Sequence, residues 1–314
     1  MKTIIKTYLV VVGASLVCLA SLPALQAVLP PPDGGHAGFN TAEGQNALFS
    51  LTIGTGNSAV GSFSLFSNTE GNFNTAVGVG TLLFNVGNPP HQGMQNTAVG
   101  AGTMLNNTTG SDNTANGAFA LFSNTLGAHS TAIGSTALRS NTTGFENIGI
   151  GFEALYSNTE GSRNTAVGDN ALFSNTTANG NTAVGFAALT SNVTAEENTA
   201  VGFEALSANI EYGNTANGFY ALKNSTTGTE NTATGGWALW QNTDGASNTA
   251  VGYQALDDNT TGFSNTALGN NALAQNTTGT NNIGLGASAG GIVTTADNVT
   301  CIGFGVGANV SNTT

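Results

Sequence analysis

Apolar side chains recur along this chain in short clusters with a fixed spacing. The stretch NTAVGDNALFSNTTANG from Asn164 is followed by NTAVGFAALTSNVTAEE and then by NTAVGFEALSANIEYG. Counted from that first Asn, units begin at positions 40, 57, 74, 96, 113, 130, 147, 164, 181, 198, 214, 231, 248, 265, 282 and 299. Sixteen units result, spaced by 17 residues except for 22 between positions 74 and 96 and 16 between 198 and 214. Slot three of the unit is Ala in thirteen units, slot four is Val, Ile or Leu in twelve, and slot nine is Leu or Met in fourteen. In an extended strand, Thr in slot two and Val in slot four share one face and Ala in slot three takes the other. The apolar runs are about five residues long, too short for independent helices, so the pattern predicts strands.

Slot five is the invariant position. It is Gly in every unit: Gly44, Gly61, Gly78, Gly100, Gly117, Gly134, Gly151, Gly168, Gly185, Gly202, Gly218, Gly235, Gly252, Gly269, Gly286 and Gly303. A slot that never takes a Cβ implies a positive φ or a close backbone approach, and therefore a structural corner in each unit. Asn fills slot one in fourteen units and slot twelve in twelve, and stacking in register brings like amides about 4.8 Å apart, within reach of ladder hydrogen bonds. Asn-Thr-Thr-Gly in slots twelve to fifteen is a turn sequence. The expected fold is all-β, a parallel β-solenoid of about sixteen 17-residue coils, each with two short strands and two Gly/Asn corners. A single coil covers its apolar face only by stacking on its neighbours.

Composition narrows this picture. Charged residues make up 7% and Gly 44 of 314 positions, too little charge and too much Gly for a helical core, while the regularity argues against generic disorder. Residues 1–27, with Lys2 and Lys6 before an apolar run and Ala27 at the end, read as a secretory signal peptide. Residues 28–39, rich in Pro and Gly, read as an extended leader, and 40–314 as the repeat domain. No transmembrane span is expected in the mature chain. Removing the signal leaves three basic residues, Arg139, Arg163 and Lys223, against 17 acidic ones, which disfavours nucleic acid as a partner. Cys18 leaves with the signal and Cys301 stands alone, so no intrachain disulfide is expected.

The Asn-Thr-Ala-Val-Gly element at 74–78, 96–100, 164–168, 181–185, 198–202 and 248–252 resembles the head repeats of YadA-like trimeric autotransporter adhesins. The longer unit, with Ala-Leu and Asn-Thr-Thr-Gly, is similar to repeats of phage-tail-like and surface-fibre proteins. The resemblance covers residues 40–305 and implies a left-handed parallel β-roll, three chains side by side, displayed at a cell surface to bind host matrix. The unit here is longer than the usual adhesin head repeat.

Chemistry-bearing residues do not converge in the pattern. His36, His91 and His129 occupy different slots of different units, with no metal-ligand spacing and no nucleophile partner. The pairs Glu196-Glu197 and Asp257-Asp258 fall in corners and read as solvated charges. A calcium-binding nonapeptide is missing, and no Gly-rich stretch precedes a helix as a phosphate loop would. The chain is therefore expected to be non-enzymatic, with no metal and no cofactor.

Surface features carry more. Thr fills slot two in thirteen units and reads either as a strand-stabilising column or as a flat ladder of hydroxyls and methyls of the kind ice-binding solenoids use. Eleven Asn-x-Ser/Thr sequons follow residue 27, and six occupy slot twelve: Asn107, Asn141, Asn175, Asn192, Asn259 and Asn276. These are candidate glycosylation sites, Asn259 foremost because Asp257 precedes it, although a ladder Asn followed by Thr makes sequons by composition alone. Aromatic residues, among them Phe49, Phe66, Phe122, Phe173, Trp237 and Trp240, fall in slots six, seven and ten. One apolar stripe must lie outside the coil, and such a stripe marks an interface. The last two units degenerate, with Gly290, Gly307, Val293 and Val310 at ladder slots, which predicts weakly covered ends open to strand addition. The expected partners are further copies of the chain, as filaments or trimers, and glycans or host surfaces.

Overall fold

The computed structural model describes residues 37–87 and 92–307. Sixteen three-residue strands, from β1 (Thr41–Glu43) to β16 (Thr300–Ile302), pair in parallel in chain order as one continuous sheet. Each coil contributes one strand from slots two to four, so the molecule is an all-β solenoid with no helix among the described residues. Fifteen steps of one strand spacing give a stack about 70 Å long.

Register follows the sequence units. β8 (Thr165–Val167) sets Thr165, Ala166 and Val167 opposite Thr182, Ala183 and Val184 of β9 (Thr182–Val184). The long unit and the short unit both keep this alignment: Thr75 pairs with Thr97, and Thr199 with Thr215. Their irregularity is absorbed in the loops, because moving a strand by one residue would turn its buried Ala outward.

The second strand expected in each coil is absent. Slots six to eleven form a run of turns in which slots seven and nine have positive φ, as at Asn170 (58°) and Leu172 (51°). A third such position is slot seventeen, for example Arg163 at 59°. A left-handed conformation costs a non-Gly residue roughly 1–2 kcal/mol. At slot nine that cost is offset: Leu172 is fully buried, and its N–H donates to the Ala188 carbonyl of the next coil at 3.0 Å. Burying a Leu side chain alone contributes about 1.5–3 kcal/mol.

The core is thin and has two halves. One half is apolar, built from Ala in slots three and eight and Leu in slot nine, nearly all without exposed surface. Space there is limited: a Cβ added to Gly149 in slot three would lie 3.3 Å from Cγ of Leu138. The other half is polar, filled by Asn from slots one and twelve, equally buried. Of the two sequence stripes, slot nine is therefore the core and slot four faces out. Residues 37–39 already take corner positions, with Gly56 N–H bonded to the Gly38 carbonyl at 2.8 Å, so the repeat geometry begins before position 40. The expected signal peptide, the Pro-rich part of the leader, His36, His91 and Val310 lie outside the described residues.

Candidate binding faces

The corner glycines meet both demands inferred for them. Gly185 has φ +134°, and a Cβ there would lie 2.7 Å from the Gly202 carbonyl carbon. The same relationship links each slot-five Gly from Gly44 to Gly269 to its successor: glycine faces glycine along the whole edge, and any side chain would strike backbone one coil on. Slot fifteen is similarly cramped, as at Gly144, although Ala178, Ala195 and Ala296 occupy it in three coils.

The six candidate glycosylation residues lie in the polar core. Asn107, Asn141, Asn175, Asn192, Asn259 and Asn276 are all without exposed surface. Each side-chain N–H2 group donates both to the corner carbonyl of its own coil and to the Oδ1 of the preceding ladder Asn. Asn141, for example, bonds Gly144 O at 2.9 Å and Asn124 Oδ1 at 2.8 Å. The folded coil leaves neither a free amide proton nor room for a sugar there. The physical reason is that slot twelve points inward, a direction that the sequon pattern does not carry.

Slot one builds a second, continuous ladder. The Oδ1 of Asn164 accepts the Asn181 N–H at 3.0 Å, and that of Asn181 accepts the Asn198 N–H at 2.9 Å. Ser130 preserves the chain of bonds through its hydroxyl, 3.2 Å from the Asn147 N–H. Buried amides paired in this manner are satisfied donors and acceptors, and each step adds about 0.5–1.5 kcal/mol.

The outer face of the sheet runs the length of the stack, interrupted at slot four by Glu43, Asn116, Asn217 and Thr234. Slot-two Thr and slot-four aliphatic residues flank the buried Ala, and Val60, Ile133 and Leu268 are 40%, 40% and 51% exposed. Two Thr columns behave in opposite ways. In slot thirteen the hydroxyl is used internally, Thr125 donating to Thr142 O and Thr142 to Thr159 O, both at 3.0 Å. In slot two the hydroxyls, including those of Thr165, Thr182 and Thr199, make no hydrogen bond among the described residues and lie on the outer side of the sheet.

The ionisable residues are arranged in surface columns. His129 Nδ1 lies 4.0 Å from Asp112 Oδ2, and Arg163 Nε lies 3.0 Å from Glu146 Oε2, all in slot seventeen of adjacent coils. The acid pairs are held by amides: Glu196 accepts from Asn179 at 2.7 Å and Asp258 from Gln241 at 2.7 Å. Burial, reinforced by the neighbouring Asp258 charge, pushes the Asp257 carboxyl from 3.8 up to about 6. Among the described residues no group of three or more His, Cys, Asp or Glu is placed to hold a metal ion, and no helix is long and apolar enough to cross a membrane.

The aromatic residues form local stacks that sequence reasoning left scattered. Phe49 stacks on Phe66 and Tyr156 on Phe173, both pairs at 5.2 Å, with Arg139 lying over Phe122 and Tyr156. A longer series runs from Phe186 to Tyr253. No family model and no curated protein matches this chain.

Proposed function

We propose that this chain is a secreted, non-enzymatic structural or adhesive protein that acts through the repeated outer face of its solenoid and assembles with copies of itself. The observation that carries the reading is the slot-two and slot-four face, about 70 Å of mostly aliphatic and hydroxyl groups with no cover among the described residues. Uncovered apolar surface of that extent is used for contact with another surface. Lateral packing of this face supports trimers. β1 and β16, each paired on one side only among the described residues, support end-to-end filaments. Sedimentation and electron microscopy of the secreted protein test this reading. Oligomers or filaments are expected, with side-by-side oligomers dispersed by Val167→Lys with Val184→Lys and end-to-end filaments left intact, and a monomer at high concentration overturns the reading.

A second reading is favoured by the free slot-two hydroxyls. Thr at one-strand spacing, with a methyl and an unpartnered hydroxyl on thirteen of the sixteen described rungs, suits an ordered water lattice such as ice. Thermal hysteresis that disappears when Thr165, Thr182 and Thr199 are replaced by Lys would establish this reading in place of the fibre. Measured absence of hysteresis removes it.

A further inference from the structure

On the face away from the sheet, five successive coils carry a ladder of aromatic rings. Phe186 stacks on Phe203 at 5.3 Å, and Phe203 meets Tyr220 edge-on at 5.5 Å. Phe219 lies 5.4 Å from Tyr220 and 4.2 Å from Trp237, and Trp237 meets Tyr253 at 5.2 Å and 88°. Gly236 makes this continuity possible, because a Cβ there would lie 2.7 Å from the Phe219 ring. The rings stay accessible: Phe186, Phe203, Phe219 and Tyr253 are 40–46% exposed. Outside these coils slot six is aromatic only at the isolated Phe152 and Phe304, and Asp169 and Asn270 bound the ladder, so the continuous run is a local departure from the repeat.

Beside the ladder, slot ten changes in the opposite sense. It carries Phe173 in the coil before this region, Thr190, Ser207 and Lys223 in its first three coils, and Trp240 in its fourth. The smaller side chains open a groove of about 360 Å³ whose polar lining includes Thr190, Ser191, Glu204, Ser207, Lys223 and Asn224. Lys223 Nζ is 2.7 Å from Glu204 Oε2 and 4.2 Å from the centre of the Tyr220 ring, which fixes the ion pair between ladder and groove. Both charged side chains are mostly buried, at 30% and 24% exposure.

We infer that ladder and groove together bind a neutral glycan chain lying along the solenoid axis. Exposed rings next to hydroxyl, amide and charged groups suit a ligand with apolar C–H faces and many hydroxyls. The ion pair presents both an acceptor and a donor without net charge. An anionic ligand is disfavoured, since the groove's cation is already neutralised and the chain carries 17 acidic residues against 5 basic ones. Coil stacking places rings in each of five successive coils, about one strand spacing apart, so a chain lying along the axis passes several aromatic contacts in succession. This inference rests on the adhesive side of the proposed function and is independent of assembly through the outer sheet face.

The test titrates the intact secreted protein with neutral hexasaccharides of β-linked glucose, xylose, mannose and N-acetylglucosamine, using calorimetry, with heparin as the anionic comparison. Saturable binding to at least one neutral chain is expected, weakened tenfold or more by Phe203→Ala and by Trp237→Ala. Ser207→Trp, which fills the groove from its rim and leaves the core intact, should do the same, and Phe66→Ala, far along the solenoid, should not. Circular dichroism confirms that each variant keeps the β-signal. Absence of saturable binding across the panel overturns the inference, as does binding untouched by the two ladder variants and the groove variant, or tighter binding of heparin. Sedimentation run in parallel separates the two readings. If ladder variants disperse oligomers and no sugar binds, the ladder is a self-contact and the glycan site is refuted; outer-face variants report only on assembly.

Discussion

The side-chain amide of Asn209 donates to the Glu211 carbonyl at 2.6 Å and makes no bond to Asn192, whose Oδ1 is left buried without a partner. The one-residue-short unit causes this. Its loop is too tight to present Asn209 to the slot-twelve column, and in the next coil Ser225 occupies the slot with its own hydroxyl unpartnered. The slot-one ladder crosses the same place intact, Asn214 N–H bonding Asn198 Oδ1 at 2.9 Å. Ser225→Asn should restore the step to Asn242 and a bond to its own corner carbonyl, stabilising the fold by about 1 kcal/mol. Urea unfolding measures the gain, and hydrogen exchange should show the coils between Asn192 and Asn242 opening first in the parent.

Neighbouring ladder positions should differ in their sensitivity. The Gly144 carbonyl takes a side-chain donor only from Asn141, because Ser130 stands at slot one of that coil. The Gly161 carbonyl receives both Asn158 and Asn147, at 2.9 and 2.7 Å. Asn141→Ala is therefore expected to cost about 1 kcal/mol more than Asn158→Ala, since it orphans a buried acceptor. Chemical denaturation of the two variants checks the order.

Gly185→Ala should be poorly tolerated although it adds a single methyl. The residue would sit at φ +134° with its Cβ 2.7 Å from Gly202 carbonyl carbon, and that neighbour is backbone held in register. Loss of several kcal/mol is expected from combined strain and displacement. Retention of the parental urea midpoint would contradict the corner assignment.

The opposite sign is expected at Thr136. This β-branched residue holds φ 58° in slot seven, where Gly80 and Gly102 occupy the same place in other coils. Thr136→Gly removes a left-handed penalty of about 1–2 kcal/mol and adds backbone entropy worth about 0.5–1 to the unfolded chain. A net gain of about 0.5–1 kcal/mol should appear as a raised Tm.

Asp257 makes stability depend on pH. Its carboxyl, raised from 3.8 to about 6, holds its proton more tightly in the fold than in the open chain. The associated stability is thus fully present below 3.8 and is lost as pH rises through about 6. Asp257→Asn removes the titration, so the variant's Tm should exceed the parent's above pH 6 and the difference should close toward pH 4. A difference that grows on acidification would refute this sign.

The amino-acid sequence alone determined the repeat unit, its stacking register and its glycine edge. Slot-five Gly, slot-three Ala and slot-nine Leu recur at a period that only stacked units can satisfy, and near-identical neighbours leave one in-register solution. Tertiary structure decided which way each slot points. Strand alternation is readable, but slots six to eleven are not a strand: two left-handed residues per coil turn Leu inward, and no propensity of Leu announces that conformation. For the same reason the slot-twelve Asn read both as ladder amides and as candidate sequons, and their inward direction, with the amides filling the core, came only with the fold. The aromatic ladder and its groove were illegible for a different reason. Phe203 and Trp237 stand 34 residues apart and in different slots, and they join one surface only through rings in the coil between them. Local pattern specifies a repeat, whereas contacts between unlike residues of successive coils exist only once the coils have stacked.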